Sequence, residues 1–443
     1  MADLANDGQR PLPPIPAMPL RHIAAVVVGN ALEFFDFVSY GFFSVYIARA
    51  FFPTQNASLS LILSLSAFFV GFLSRPVGAI VIGSWGDRAG RKPAMLFSFG
   101  LMGVGIIGLA LTPSYAQIGI AAPVLAVLFR LVQGFSLGGN VGPATAYMVE
   151  AAPPLRRGFY AALQAASQDL GALAAGVIAT VLAYNLDAQQ MQDWGWRATM
   201  LVGACIVPFG LMLRRSLPET LHKVDDAGLA PDGTAGALSV GARLRPHLLT
   251  IVLGLLILAS ATIANYTTNY MTTYALDTLH MQAAAAFGVI IVSGVLAICG
   301  DLASGLLADR FGRKPVMLVP GVVLVASILP AFWAIGHFHT TLVFYVAVGW
   351  LAVVFCLSSG PVLVMLTETL PRSVRAGAVS TIYAFAIAIF GGSTQVTVKS
   401  LLTLTGNPLV PAYYWTVAAI IGLVAMAFVK ESAPIKLLGC TRR

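Results

Sequence analysis

One eleven-residue motif occurs twice in the chain, each time between two long apolar runs. Gly83-Ser-Trp-Gly-Asp87-Arg88-Ala-Gly90-Arg91-Lys92-Pro93 returns 222 residues later as Gly305-Leu-Leu-Ala-Asp309-Arg310-Phe-Gly312-Arg313-Lys314-Pro315. A second pair follows in the same order: Glu150-Ala-Ala-Pro153-Pro-Leu-Arg156-Arg-Gly158 and Glu368-Thr-Leu-Pro371-Arg-Ser-Val-Arg375-Ala-Gly377. Two motifs recurring at near-constant offset imply a duplicated unit. The apolar runs are long enough to cross a hydrocarbon core of about 30 Å as helices.

Those runs read as twelve crossings at roughly 22–48, 58–85, 94–113, 117–149, 158–184, 195–214, 246–275, 283–308, 315–335, 341–368, 376–399 and 411–429. The expectation is an all-α membrane protein of two six-helix halves, 22–215 and 246–430. They are flanked by a disordered proline-bearing tail at 1–21, a polar linker at 216–245 and a second tail at 431–443. No cleavable leader is read ahead of the first span. A soluble fold is excluded because only 10% of residues are charged and 58% are hydrophobic. The net charge of +8 does not point to nucleic acid. Its arginines and lysines, among them Arg88, Arg91, Lys92, Arg156, Arg157, Arg214, Arg215, Arg310, Arg313, Lys314, Arg372 and Arg375, gather on the loops of one side. That bias predicts both termini in the cytoplasm. Cys205, Cys299 and Cys356 fall inside spans and read as small apolar residues without a disulfide framework.

Ionisable residues at bilayer depth are costly, so each is a candidate for function. They are Glu33, Asp36, Arg75, Arg130, Asp169, Asp301 and, near an outer edge, Lys399. On the first span Asn30, Glu33, Phe37, Tyr40 and Ser44 lie at helical spacing with Asp36 on their flank. Arg130, Gln133, Asn140 and Tyr147 repeat that design on the fourth span, Gln164, Ser167 and Gln168 on the fifth, and Asn265, Thr268, Asn269 and Thr272 on the seventh. Ser358-Ser359-Gly360-Pro361 should interrupt the tenth. Such stripes should face a shared water-filled cavity. A guanidinium matches a carboxylate bidentately, so Arg75 and Arg130 are the natural anchors for an organic anion. Asn30, Tyr40, Gln133, Asn140, Gln164, Gln168, Asn265 and Asn269 supply further substrate contacts. Asp36 paired with Arg130, then Glu33, are the candidate proton carriers; a purely structural Asp36–Arg130 ion pair is the competing reading. Asp169 lies roughly 140° around its helix from Gln164 and, with Asp301, reads as part of the interface between halves. Lys399 reads as snorkelling to the surface, Trp85, Trp194, Trp196 and Trp415 as interface anchors, and His280, His337 and His339 as loop residues. No metal, cofactor or catalytic constellation is read, and no nucleotide loop, because G-x-x-x-x-G-K-[ST] is absent.

The duplicated G-x-x-x-D-R-x-G-R-K loop resembles the hallmark of major facilitator transporters. Within that superfamily Gly29-Asn30-Ala-Leu-Glu33-Phe-Phe-Asp36-Phe, Arg75-Pro76-Val-Gly78-Ala, Arg130-Leu-Val-Gln133-Gly134-Phe135-Ser136, Gln164-Ala-Ala-Ser167-Gln168 and Trp194-Gly195-Trp196-Arg197 resemble the metabolite:proton symporter family. Asn140 departs from it where many relatives carry Glu, and Lys399 stands where a neutral residue is expected. The resemblance implies secondary-active import of a di- or tricarboxylate such as citrate, tricarballylate or aconitate with protons, by a monomer in the bacterial inner membrane. It also implies that Asp87, Arg91, Asp309 and Arg313 act as gating residues, against the alternative that they only anchor topology. Uptake of a zwitterion such as proline or betaine, proton-coupled efflux, and a sensor that does not transport are the competing functions.

Overall fold

The computed structural model describes residues 20–89, 91–150, 156–209, 212, 248–369 and 382–433; for 20–22, 25, 26, 83, 84, 86–89, 91, 92, 94, 95 and 139–150 it describes backbone only. The described elements are helical, and they run in chain order as α1 Leu20–Phe42, α2 Ser44–Phe51, α3 Ala57–Leu73, α4 Arg75–Ala89, α5 Arg91–Leu111, α6 Ala121–Glu150, α7 Arg157–Asn185, α8 Trp196–Gly203, α9 Leu248–Asp277, α10 Ala283–Phe311, α11 Arg313–Phe338, α12 Thr341–Ser359, α13 Val362–Thr369, α14 Gly392–Thr405 and α15 Val410–Phe428. Among the described residues nine helical segments are long and apolar enough to cross a membrane, or ten when α1 and α2 count as one. Leu96–Leu111 is shorter. The expected linker and the N-terminal tail lie outside the described residues, save Leu20 and the backbone beside it.

Besides π-helical turns at Met191–Gly195 and Ala386–Gly391, regular helix is interrupted at two places where the sequence weakens the backbone ladder. α1 and α2 meet at 66°, just after Gly41 and one turn beyond Ser39, whose hydroxyl bonds back to the Phe35 carbonyl. The Ser358–Pro361 interruption falls between α12 and α13, as the sequence predicts. There Ser358 Oγ donates to the Met317 carbonyl of α11 at 2.8 Å.

Packing between helices relies on small residues that let backbones approach. Glycine is required where α6 crosses α3 and α4: a Cβ at Gly134 would overlap the Gly71 carbonyl, and one at Gly138 would overlap the Arg75 carbonyl. This close crossing sets the depth of Arg75 and Arg130. The broadest contact in the described chain joins α7 to α10, and with it the N-terminal helices to the C-terminal ones. Large apolar side chains such as Ile80, Tyr184, Leu249, Leu342 and Phe428 remain on the outside, as a lipid-facing surface requires.

Candidate functional site

The stripe on α1 is buried. Asn30, Glu33, Asp36, Phe37 and Tyr40 are each at most 4% exposed. Their neighbours are the two arginines contributed by the α4–α6 crossing. The Arg75 guanidinium carbon stands 4.0 Å from the Phe37 ring centroid and 4.2 Å from that of Phe72. Arg130 stands 4.6 Å from the same Phe37 ring, 4.5 Å from Tyr40 and 5.1 Å from Phe68. Aromatic faces attract the guanidinium charge without using its N–H groups.

Those N–H groups are only partly used. Arg130 Nη1 donates to Gln133 Oε1 at 2.8 Å, and the Tyr266 hydroxyl of α9 interacts with Arg75. Nε and Nη2 of both arginines, Gln133 Nε2 and Asp36 Oδ2 are buried without a hydrogen-bond partner. Buried polar groups are otherwise almost always satisfied. Asp36 and Arg130 are not in ion-pair contact: among the described residues the ion pairs are Arg313–Asp309, Arg313–Glu368 and Lys399–Asp277. The Asp36 side chain packs beside Gly203 of α8. The direct pair expected from sequence is therefore absent in this conformation.

The remaining predicted contacts divide. Asn30 Nδ2 donates to Ser167 Oγ at 2.7 Å and to the Gln164 carbonyl at 3.3 Å, clasping α1 to α7. Tyr40 donates to the Ser64 carbonyl at 3.2 Å. Asn269 donates to Asn265 Oδ1 at 2.9 Å. Both line a separate cavity of about 90 Å³ with Gln168, Asp169, Asp301 and Cys356. The side chain of Asn140 lies outside the described residues.

At one end of the bundle the second motif copy is a network. Asp309 accepts the backbone N–H of Gly158 and of Phe159, each at 3.0 Å, so a C-terminal helix caps the first turn of α7. Arg313 is 1% exposed and bridges Asp309 at 2.7 Å and Glu368 at 3.2 Å. Glu431 accepts the N–H groups of Arg313 and Lys314, and Ser432 Oγ donates to Glu368 at 2.8 Å. The side chains of Asp87 and Arg91 lie outside the described residues. Sequence reasoning assigned no role to Glu368, although it opens the second repeated motif, and placed Glu431 in a tail.

At the other end Lys399 does not reach for the surface. It is 6% exposed and pairs with Asp277 at 2.6 Å, with Ser58 Oγ at 3.4 Å. One turn before Asp277, Thr273 Oγ1 meets Ser44 Oγ at 3.0 Å, joining α2 to α9. Asp277 was missed because it follows the apolar run and looked like a loop residue. Trp196 and Trp415 are 0% and 1% exposed, so they are core residues and not surface anchors; Trp85 and Trp194 are exposed. Cys299 is exposed on α10 and Cys205 is exposed in the turn after α8, while Cys356 is buried.

Residues 26–395 match the family model described as Major Facilitator Superfamily. The chain belongs to the major facilitator superfamily. Solved structures agree on the architecture of this major facilitator protein. A D-xylose-proton symporter superposes with a TM-score of 0.74 at 17% identity, over 94% of this chain and 98% of that one. The xylose transporter XylE bound to 6-bromo-6-deoxy-D-glucose gives 0.75 at 18% identity, over 93% and 96%. At such identity they speak for the fold alone. Among curated relatives, a citrate-proton symporter of Klebsiella pneumoniae is 34% identical over 94% of this chain and 93% of its own length. Another of Salmonella typhi is 36% identical over 93% and 94%. A proline/betaine transporter of Escherichia coli is 31% identical over 95% and 85%. The multi-pass membrane character and the fold expected from sequence are both met.

Proposed function

We propose that this protein is a proton-coupled symporter that imports a small organic acid anion, a di- or tricarboxylate, by alternating access around the Phe37 cluster. The observation that carries this reading is the pair of buried guanidiniums with unsatisfied Nε and Nη2 groups. Two fixed positive charges with donors to spare need an anion, and planar forks select carboxylates. The citrate-proton symporter relatives support the same substrate class. Asp36, with its unbonded Oδ2, and Glu33 are the proton carriers of this reading. Capture of Arg130 by substrate would change the field at Asp36 and so its proton.

The relationship to a proline/betaine transporter makes a zwitterion the second reading. A quaternary ammonium group needs free aromatic faces, and here Phe37, Tyr40, Phe68 and Phe72 already hold guanidiniums. The anion is favoured for that reason. In this proposal the Asp309 end faces the cytoplasm of a bacterial inner membrane, because the arginine- and lysine-rich loops lie there. The two six-helix halves rock as a monomer.

Uptake of labelled citrate into proteoliposomes under an inward proton gradient tests the reading, with tricarballylate, aconitate, succinate, proline and betaine as competitors. Gradient-driven uptake blocked by carboxylates supports it. Competition by proline or betaine alone overturns the anion and leaves the fold.

A further inference from the structure

The Phe37 cluster leaves an acidic pair on α7 and α10 without a task. Asp169 of α7 and Asp301 of α10 face each other across the seam between the N-terminal and C-terminal helices. One carboxylate oxygen of each and the Cys356 sulfur of α12 all lie within 4.8 Å of one another. Asp301 is 3% exposed. Among the described residues, no arginine, lysine or backbone N–H bonds either carboxylate, in contrast to Asp309 and Asp277. Both open on the cavity of about 90 Å³ that Gln168, Asn265 and Asn269 also line. Around the pair, Cys356 is the only other titratable side chain on that lining; what α9 contributes is amide and hydroxyl.

Two carboxylates this close, Asp301 buried and Asp169 half-buried, with no countercharge beside them, strongly disfavour being ionised together. Something positive has to sit between them. The helices approach closely on either side of the pair: a Cβ at Gly305 would stand 2.6 Å from the Ala162 Cβ, and one at Gly176 would stand 2.6 Å from Ile290 Cγ2. A proton fits such a seam without moving it.

We infer that Asp169 and Asp301 share one proton across the α7–α10 seam, and that this pair is a second proton site, separate from Asp36, through which protonation holds the two halves together there. Release of that proton leaves two adjacent carboxylates on opposite halves. Their repulsion then favours parting of the seam until a proton returns from the cavity. This rests on the proton-symport reading above, but it can be tested without a substrate.

Infrared difference spectroscopy on the purified full chain in liposomes reads the pair directly. At neutral pH, wild type minus the Asp169→Asn/Asp301→Asn double variant should show the C=O stretch of a protonated carboxyl, shifting in heavy water. A difference containing only ionised carboxylate bands overturns the proposal. Asn keeps the volume, the amide band of the same spectra reports helix content, and the two single variants are read in the same way if the double loses it. In proteoliposomes, Asp301→Asn should keep substrate exchange but lose accumulation above the equilibrium level. Accumulation by Asp301→Asn equal to wild type overturns the proposal, as does sodium-driven accumulation by wild type with no proton gradient, which would make the pair a cation site. If no carboxylate is carried at all, the substrate reading fails while the infrared result still decides the pair.

Discussion

The Asp309 carboxylate accepts the backbone N–H of Gly158 at 3.0 Å, so the last turns of α10 are tied to the first turn of α7. Gly158 is also a point of close backbone approach, since a Cβ there would stand 2.9 Å from the Gly305 carbonyl. A carboxylate at a helix N-terminus gains from both the unpaired N–H groups and the dipole. Arg313 holds that carboxylate in place from the following helix.

Asp309→Ala removes two charge-assisted hydrogen bonds across the halves. Such bonds contribute on the order of 1.5–3 kcal/mol each, so the conformational equilibrium should shift by tenfold or more toward parting at this end. Thiol labelling of a cysteine placed at Phe159 should speed up by a similar factor. An unchanged labelling rate would show that Asp309 only anchors the loop.

Glu431 gives a pH dependence outside the membrane. Partial burial raises its carboxyl, but backbone N–H groups of Ala433, Arg313, Lys314 and Ser432 pull harder and hold it below the usual carboxylate range. A folded-state value below the unfolded one stabilises the protein above the unfolded value, and that contribution is lost as pH falls through the folded one. Wild type should therefore lose melting temperature on acidification below the normal carboxylate range. Glu431→Gln should start lower at neutral pH and show a flatter acid limb in thermal scans. Parallel curves for the two proteins would rule this role out.

Much of this was legible in the chain. The apolar runs follow from hydropathy, the Asp309–Arg313 motif from its repetition and the α1 stripe from 3.6-residue spacing; among the described residues the runs give nine or ten long apolar segments, and the stripe lies buried among aromatic rings and arginines. What escaped was set by partners far away in sequence. Lys399 looked like an edge residue because Asp277, 122 positions off, looked like a loop. Trp196 and Trp415 looked like interface anchors because burial depends on neighbouring helices and not on their own apolar run. Asp36 and Arg130 lie on the polar stripes of two different helices, and periodicity within each carries no distance between them; the two are not in ion-pair contact.

Lys399 and Asp277 make a pair whose side chains are 7% and 19% exposed. Breaking a buried pair from one side costs on the order of 3–5 kcal/mol, whereas replacing both partners with apolar groups is often neutral. Lys399→Met should lower the melting temperature by several degrees, with the partial exposure of Asp277 placing the cost at the lower end of that range. Lys399→Met/Asp277→Leu should recover most of the loss. Additive losses in the double variant would mean the two residues act independently.

Arg130→Lys separates charge from geometry at the Phe37 cluster. Lysine keeps one positive charge but loses the planar fork, the contact over three rings and the bond to Gln133 Oε1. If the substrate is a carboxylate gripped bidentately, the variant should raise KM by about tenfold or more, the scale of one or two lost charge-assisted bonds. Arg130→Gln should remove uptake altogether, because the anion then meets an uncompensated cluster. Arg197→Lys serves as the control: Arg197 donates to the Ala110 and Thr112 carbonyls at the end of α5, so it should change stability and leave KM alone. Wild-type KM in Arg130→Lys, with protein of normal stability, would move the anion site away from Phe37 and point to the cavity beside Asn265.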